Sequence, residues 1–434
     1  MPGSSSLAGA DGFPPTPEAV RARLDAVDPD AYARTRNALD GSVTRLSPYL
    51  THGLLDVPDA LAAIRARHRV PDAHKLAFEF GWREFFRHAW RHLGEGLLDD
   101  VRPPPWPGEY ARTLPDDLVE ARTGVPAIDH AVRELYAIGW LHNHARMWVA
   151  SYVVHLRKVH WRAGADWMHA HLLDGDLGAN HLSWQWVAAT FSAKPYVFDA
   201  GNVAKYAPRA WQCRGTAVDR SYEDLDAIAR GEADLGPEPA AVRGEVPGTV
   251  PPPVFAVPPA DRLDAARAAS PSADGLDATP AAATGGMRLV DGSAWLEHVR
   301  RACAAAGDPR VRVVHPWSLG EPPEGDPVVR VGLLHAPYHA RFPWSARRWA
   351  FVLGAMRGRV DLLHAGDAAA ALAALSGAGL VPVVRDALVP GLREAVDAAR
   401  RRGAVVEPVP RQWADPDRFC PSFTRFWNTV SRRS

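Results

Sequence analysis

The run D-G-D-L-G-A-N-H-L-S-W-Q-W, from Asp174 to Trp186, decides how the rest of the chain is read. It sets two carboxylates two residues apart, a carboxamide at Asn180, and two tryptophans on either side of a glutamine. Upstream, G-W-L-H-N-H-A-R-M spans Gly139 to Met147 and adds Asn143, Arg146 and a thioether. Helices are expected over 127–140 and 143–158, with another leading into Asp174, and the segment from Gln185 to Tyr196 reads as mainly helical.

Further upstream, residues 18–40 read as helical. Gly41 to Gly53, G-S-V-T-R-L-S-P-Y-L-T-H-G, then clusters Ser and Thr ahead of an apolar segment. Such a cluster caps a helix or offers N–H groups to a phosphate. Helices follow at 57–70 and 75–93. In the second, Phe78, Trp82, Phe85 and Ala89 share one stripe, and Glu79, Trp82 and Arg83 fall within a turn of each other. An acid beside a large aromatic suits hydrogen bonding and stacking on a base; a core helix with a solvated Glu is the plainer reading. Residues 101–127, with Trp106, form a Pro/Gly-rich connection.

Residues 236–285 are dominated by Pro, Ala, Gly, Ser and Asp and read as a linker, too poor in apolar surface to offset the entropy of ordering. From 286 to 434 the pattern changes to short apolar runs, such as V-R-V-V and L-V-P-V-V, alternating with amphipathic helices. That alternation implies a parallel sheet covered by helices. No G-x-G-x-x-G or P-loop is present there. The expected architecture is multidomain: a tail over 1–17, an all-α domain over 18–235, the linker, and a smaller α/β Rossmann-like domain over 286–434.

The 434 residues allow two or three domains. No apolar run approaches the roughly 18 residues of a membrane span, and the N-terminus lacks the pattern of a signal peptide. The three cysteines, Cys213, Cys303 and Cys420, have no metal-ligand or disulfide spacing, which fits a cytoplasmic location and no metal. Formal net charge is zero, which argues against coating nucleic acid by bulk charge and leaves a local groove open. Most of the sixteen tryptophans lie between Trp82 and Trp211, where packing is the default reading for any one of them.

Taken together over about residues 30–210, these motifs resemble the DNA photolyase/cryptochrome family. The resemblance implies an all-helical domain that holds FAD in a folded shape. T-R-L-S-P-Y-L looks like the family's phosphate-cradling segment, which assigns Thr44, Arg45, Leu46 and Ser47 to the diphosphate, with Val43 where a Thr is usual. Tyr32, Arg83, Asn143, Arg146, Asp174, Asp176 and Asn180 match flavin-pocket positions. Asn180 matches the residue facing flavin N5, and its neutral carboxamide tolerates a reduced, anionic ring. Trp184, Trp161 and Trp106 resemble the chain that reduces photoexcited flavin. Trp82 and Trp186 resemble the pair that stacks on a flipped pyrimidine dimer, Glu79 the acid that hydrogen-bonds it, and Asn143 and Met147 other walls of that pocket.

The implied function is light-driven splitting of cyclobutane pyrimidine dimers in damaged DNA by electron transfer from reduced FAD. One alternative is a cryptochrome-like photoreceptor that binds FAD and acts through a signalling partner; another is a flavoprotein using the pocket for other redox chemistry. His144 departs from a basic Arg of many relatives and Leu76 from an aromatic, and the segment after Trp186 is not the usual form. The C-terminal α/β part loosely resembles the family's antenna domain moved to the other end of the chain, with no basis for naming a second chromophore.

Overall fold

The computed structural model describes residues 12–236, 248–259, 287–290, 292–360 and 362–431. It is a helical domain joined to a parallel-sheet α/β domain. The Lys75–Leu93 helix is the longest helix of the helical part. His74 caps its start by accepting from the Leu76 amide, and Gly94, at φ 57°, ends it. Its buried stripe is Leu76, Ala77, Phe80, Gly81, Glu84, Phe85, His88 and Ala89. Phe78 and Trp82, expected on the buried stripe, are only half-buried and lie on a flank.

The Asn143–Ser151 helix continues through a wider π-type turn over Tyr152–Leu156. The Trp161–His171 and Leu177–Ala188 helices are joined by the loop carrying Asp174 and Asp176. The second of these stops earlier than the sequence pattern implies. Ala189 turns left-handed at φ 63°, and the Thr190 and Phe191 amides fold back onto Gln185 O, so residues 189–199 are not helical. The Ser/Thr cluster also differs from expectation: the short Ser47–Thr51 helix begins at Leu46, which gives no side-chain cap.

The α/β domain carries a six-stranded, all-parallel sheet. Its strands are β2 (Arg288–Leu289), β3 (Arg310–Val314), β4 (Arg330–His335), β6 (Leu362–Gly366), β7 (Val381–Arg385) and β8 (Val405–Glu407), in the order β2-β6-β4-β3-β7-β8. The central strands are buried along nearly their whole length, β4 as an apolar run and β3 with Arg312 paired to Asp326 and Glu407 among its valines. The chain winds outward from β3 through β4 to β6, then crosses back to β7. The carboxyl ends of β3 and β7 therefore mark a switch point, where open α/β sheets form a crevice.

Two expectations about chain organisation change. Residues 1–11 lie outside the described residues, but 12–16 of the expected tail are packed: Phe13 is buried and Tyr49 Oη donates to Pro14 O. Most of the linker is also outside the described residues. Its Val254–Phe255 segment (β1) nevertheless pairs antiparallel with Trp344–Ser345 (β5), and Trp349 Nε1 donates to Phe255 O. One apolar core runs through the first helices and the α/β domain together, while a second lies wholly within residues 110–229. Among the described residues no helix is long and apolar enough to cross a membrane.

Candidate functional site

The Asp174–Asp176 loop is where the predicted site residues meet. Asp174 is buried, and its Oδ2 accepts from Arg146 Nη2 at 2.8 Å. Burial alone would raise its pKa, but the Arg146 guanidinium outweighs that and holds it below the usual carboxylate range. Arg146 is oriented by donating from Nε to Leu141 O. Thr51 Oγ1 donates to Asp174 O and accepts from Arg83 Nη2, so Arg83, Thr51, Asp174 and Arg146 form one chain of contacts. Among the described residues, Asp174 Oδ1 has no hydrogen-bond partner although it is buried. The Ser47 hydroxyl lies near enough to help lower the carboxyl pKa, and Oδ1 retains room for a further donor.

Trp140 brings the Thr44–Ser47 segment to the same place. Its Nε1 donates to Ser47 Oγ at 3.1 Å, and the guanidiniums of Arg45 and Arg146 lie 4.9 and 6.0 Å from its ring. Arg45 reaches this position from a left-handed backbone, φ 51°. Thr44 turns inward to accept from the Leu46 amide, and Leu46 is fully buried in the core. Asp176 caps the following helix through the Ala179 amide. Asn180 Nδ2 donates to Ala165 O at 2.8 Å, tying it to the preceding helix.

Asp176 and Arg83 also line a small cleft, open to solvent, between the domains. The α/β side supplies Trp317, after β3, and Arg385 to Val389, at the end of β7, which is the switch point. Arg385 is paired across it to Asp56.

A second group forms around Glu79, whose carboxylate pairs with Lys75 at 2.8 Å and Arg36 at 3.5 Å. Tyr32 sits beside it, its pKa raised by burial and by the Glu79 charge. His142 reaches Arg36 O at 2.9 Å, and burial pulls its pKa down to about 4. Asn143 is exposed and within 3.6 Å of Met147 Sδ.

The two stacking tryptophans are placed differently from each other. Trp82 lies flat against Phe423 of the C-terminal Phe423–Val430 helix, with centroids 4.0 Å apart and planes 9° apart. Trp186 packs on Tyr196 beside the second core. Trp184 is buried against Gly164, where a Cβ would come within 2.2 Å of its ring. Trp161 is buried too, and ring contacts run from it through His160 and Tyr110 to Trp106. Sequence reasoning passed over Tyr110, His160, Thr51 and Trp140. Trp140 lay inside a quoted motif, but as an aromatic in an apolar setting its plain reading was packing.

Comparison with known proteins gives a concordant picture. Residues 76–212 match the family model described as the FAD binding domain of DNA photolyase. The chain is 39% identical over 184 residues to a deoxyribodipyrimidine photo-lyase of Thermus thermophilus, covering 41% of this chain and 43% of that one. It is 34% identical over 178 residues to the enzyme of the same name from a Synechococcus, covering 38% and 37%. It is 32% identical over 219 residues to a protein named cryptochrome DASH from Idiomarina loihiensis, covering 48% of this chain and 45% of that one. The chain thus spans less than half the length of these relatives.

Proposed function

From the match of residues 76–212 to the FAD binding domain of DNA photolyase and the 39% identity to a deoxyribodipyrimidine photo-lyase over 184 residues, we propose that this chain is a member of the DNA photolyase/cryptochrome family that binds FAD and uses light to split cyclobutane pyrimidine dimers in DNA. The observation that carries the reading is the buried Arg146–Asp174 pair, with Asp174 Oδ1 making no hydrogen bond among the described residues. A flavin ring N–H is the kind of donor that atom has room for, so the residues present fit the cofactor. When bound and reduced, FAD supplies the electron that light drives to the lesion.

The chain's own groups do the rest. Arg146 keeps Asp174 ionised as an acceptor. Asn180, its amide nitrogen committed to Ala165 O, turns a neutral oxygen to its surroundings and does not repel an anionic ring. Arg45 and Ser47, gathered on Trp140, serve the diphosphate, with Arg83 and Asp176 nearby, and Tyr32 closes the far end. Glu79 hydrogen-bonds an everted base, stacked on Trp186 and walled by Asn143 and Met147. Trp82 joins that wall when Phe423 moves off its face. Trp184, Trp161 and Trp106 carry electrons inward when the flavin is oxidised, with Tyr110 and His160 filling the gap before Trp106. The three cysteines are buried and free, which supports a cytoplasmic setting.

The covered face of Trp82 and the zero net charge favour one second reading, a cryptochrome-like photoreceptor that signals through a partner. The two separate on one experiment. Reduced, flavin-loaded protein is illuminated with an oligonucleotide carrying a thymine dimer, and the dimer is quantified. Repair predicts loss in the light and none in the dark; no loss in either supports the photoreceptor.

A further inference from the structure

The loop that carries both carboxylates is held from its own domain and from the α/β domain together. Three successive carbonyls are each engaged: Leu173 O by His52 Nε2 at 2.9 Å, Asp174 O by Thr51, and Gly175 O by Arg348 Nη2 at 2.6 Å. Arg348 belongs to the Ala346–Met356 helix of the α/β domain, which Ser345 caps. Its other terminal nitrogen, Nη1, donates at 2.7 Å to His169 O, in the last turn of the Trp161–His171 helix. That is the helix end whose partial charge favours a cation. The guanidinium lies 3.8 Å from the Trp344 ring centroid, and the residue is wholly buried.

The middle residue of D-G-D now has a reason. A Cβ at Gly175 would lie 2.4 Å from Arg348 Nη1 and 2.6 Å from His169 O, so only glycine lets the guanidinium reach the loop. Arg348 makes no ion pair among the described residues: its hydrogen-bond acceptors are carbonyls, and its pKa, lowered by burial to about 10, leaves it cationic at neutral pH. A buried charge held by carbonyls and a tryptophan ring, with no carboxylate paired to it directly, is expensive.

We propose that Arg348 is a positioning residue for the flavin site. It sets the Asp174–Asp176 loop from the α/β domain and places a buried positive charge behind the two carboxylates, which favours added negative charge in the pocket. The α/β domain is thereby part of the cofactor site. This rests on the reading of the helical domain as an FAD holder.

The test uses the full chain, freed of flavin and titrated with FAD, followed by measurement of the bound flavin's midpoint potential. Arg348→Gln is expected to weaken FAD binding about tenfold or more, the scale of losing hydrogen bonds from a charged donor, and to lower the potential. Arg348→Lys, which keeps the charge but cannot span two carbonyls, is expected to retain the fold and recover most of the potential with part of the affinity. Arg347→Gln, at the exposed neighbour, is expected to change neither. A folded Arg348→Gln or Arg348→Lys protein with wild-type affinity, or one whose weaker binding leaves the potential unmoved in the Gln form, overturns the inference. A wild-type chain that takes up no FAD overturns the family reading and this inference together, whereas unaffected variants beside a flavin-binding wild type overturn this inference alone.

Discussion

Asp174 shows how a single residue gains its role from its surroundings. Its side chain is 4% exposed and Arg146's is 24% exposed. A pair this deep is strongly destabilised when one partner goes, by about 3–5 kcal/mol, because the other charge stays buried. The partial exposure of Arg146 favours the low end. Asp174→Asn is therefore expected to lose about 3 kcal/mol in urea denaturation and to retain less flavin. A variant of wild-type stability and flavin content would remove the pair from the account. The spacing of Asp174, Asp176 and Asn180 was legible in the sequence because one loop and one helix carry all three. Arg348 was not legible, since a residue from a distant segment of the chain is brought to Gly175 only by the docking of two domains.

Among elements, the Lys75–Leu93 helix is the one whose faces the sequence pattern read only in part. Its periodicity is consistent with two apolar stripes, and the pattern does not say which neighbour each meets. One stripe enters the shared core; the other, with Phe78 and Trp82, meets Phe423 and Trp427 of the last helix. Gly81 lets the two helices approach, since a Cβ there would fall 2.3 Å from the Trp427 ring. Phe423 is itself buried, so Phe423→Ala is expected to cost about 3 kcal/mol of stability. If Trp82 serves a flipped base, the same variant should bind a dimer-containing oligonucleotide more tightly than wild type, measured by fluorescence anisotropy. Unchanged or weaker binding would make Trp82 a packing residue only. The apolar runs at 311–314 and 380–384 read correctly as strands because buried parallel strands leave little else to such short segments.

On the scale of the whole molecule, the two domains behave as one folded unit: they share a core, and ion pairs such as Arg385–Asp56 and Arg91–Asp415 tie them. Composition divided the chain at its Pro- and Ala-rich stretch, and composition cannot report that the parts on either side repack together. Acid should expose the consequence. Burial lowers the pKa of His52 to about 3 and of His142, His155, His171 and His315 to about 4, against 6.5 for a free imidazole. Below pH 6.5 the unfolded chain takes up protons that the folded chain refuses, so stability falls as pH drops from about 6.5 towards 4. Asp415, held at about 2 against burial by His88 and the Arg411 and Arg91 charges, extends the loss below its ordinary 3.8. The melting temperature is expected to be clearly lower at pH 5 than at pH 7.5; equal values would mean these histidines are not buried neutral.

The central claim is that the groups around Asp174 hold one flavin. The most direct measurement is the absorption spectrum of the purified full chain after incubation with FAD and removal of the excess. The account predicts a resolved flavin spectrum at one FAD per chain, strongly diminished in Asp174→Asn. A protein that is folded yet carries no flavin, or that carries it equally well without Asp174, would contradict it.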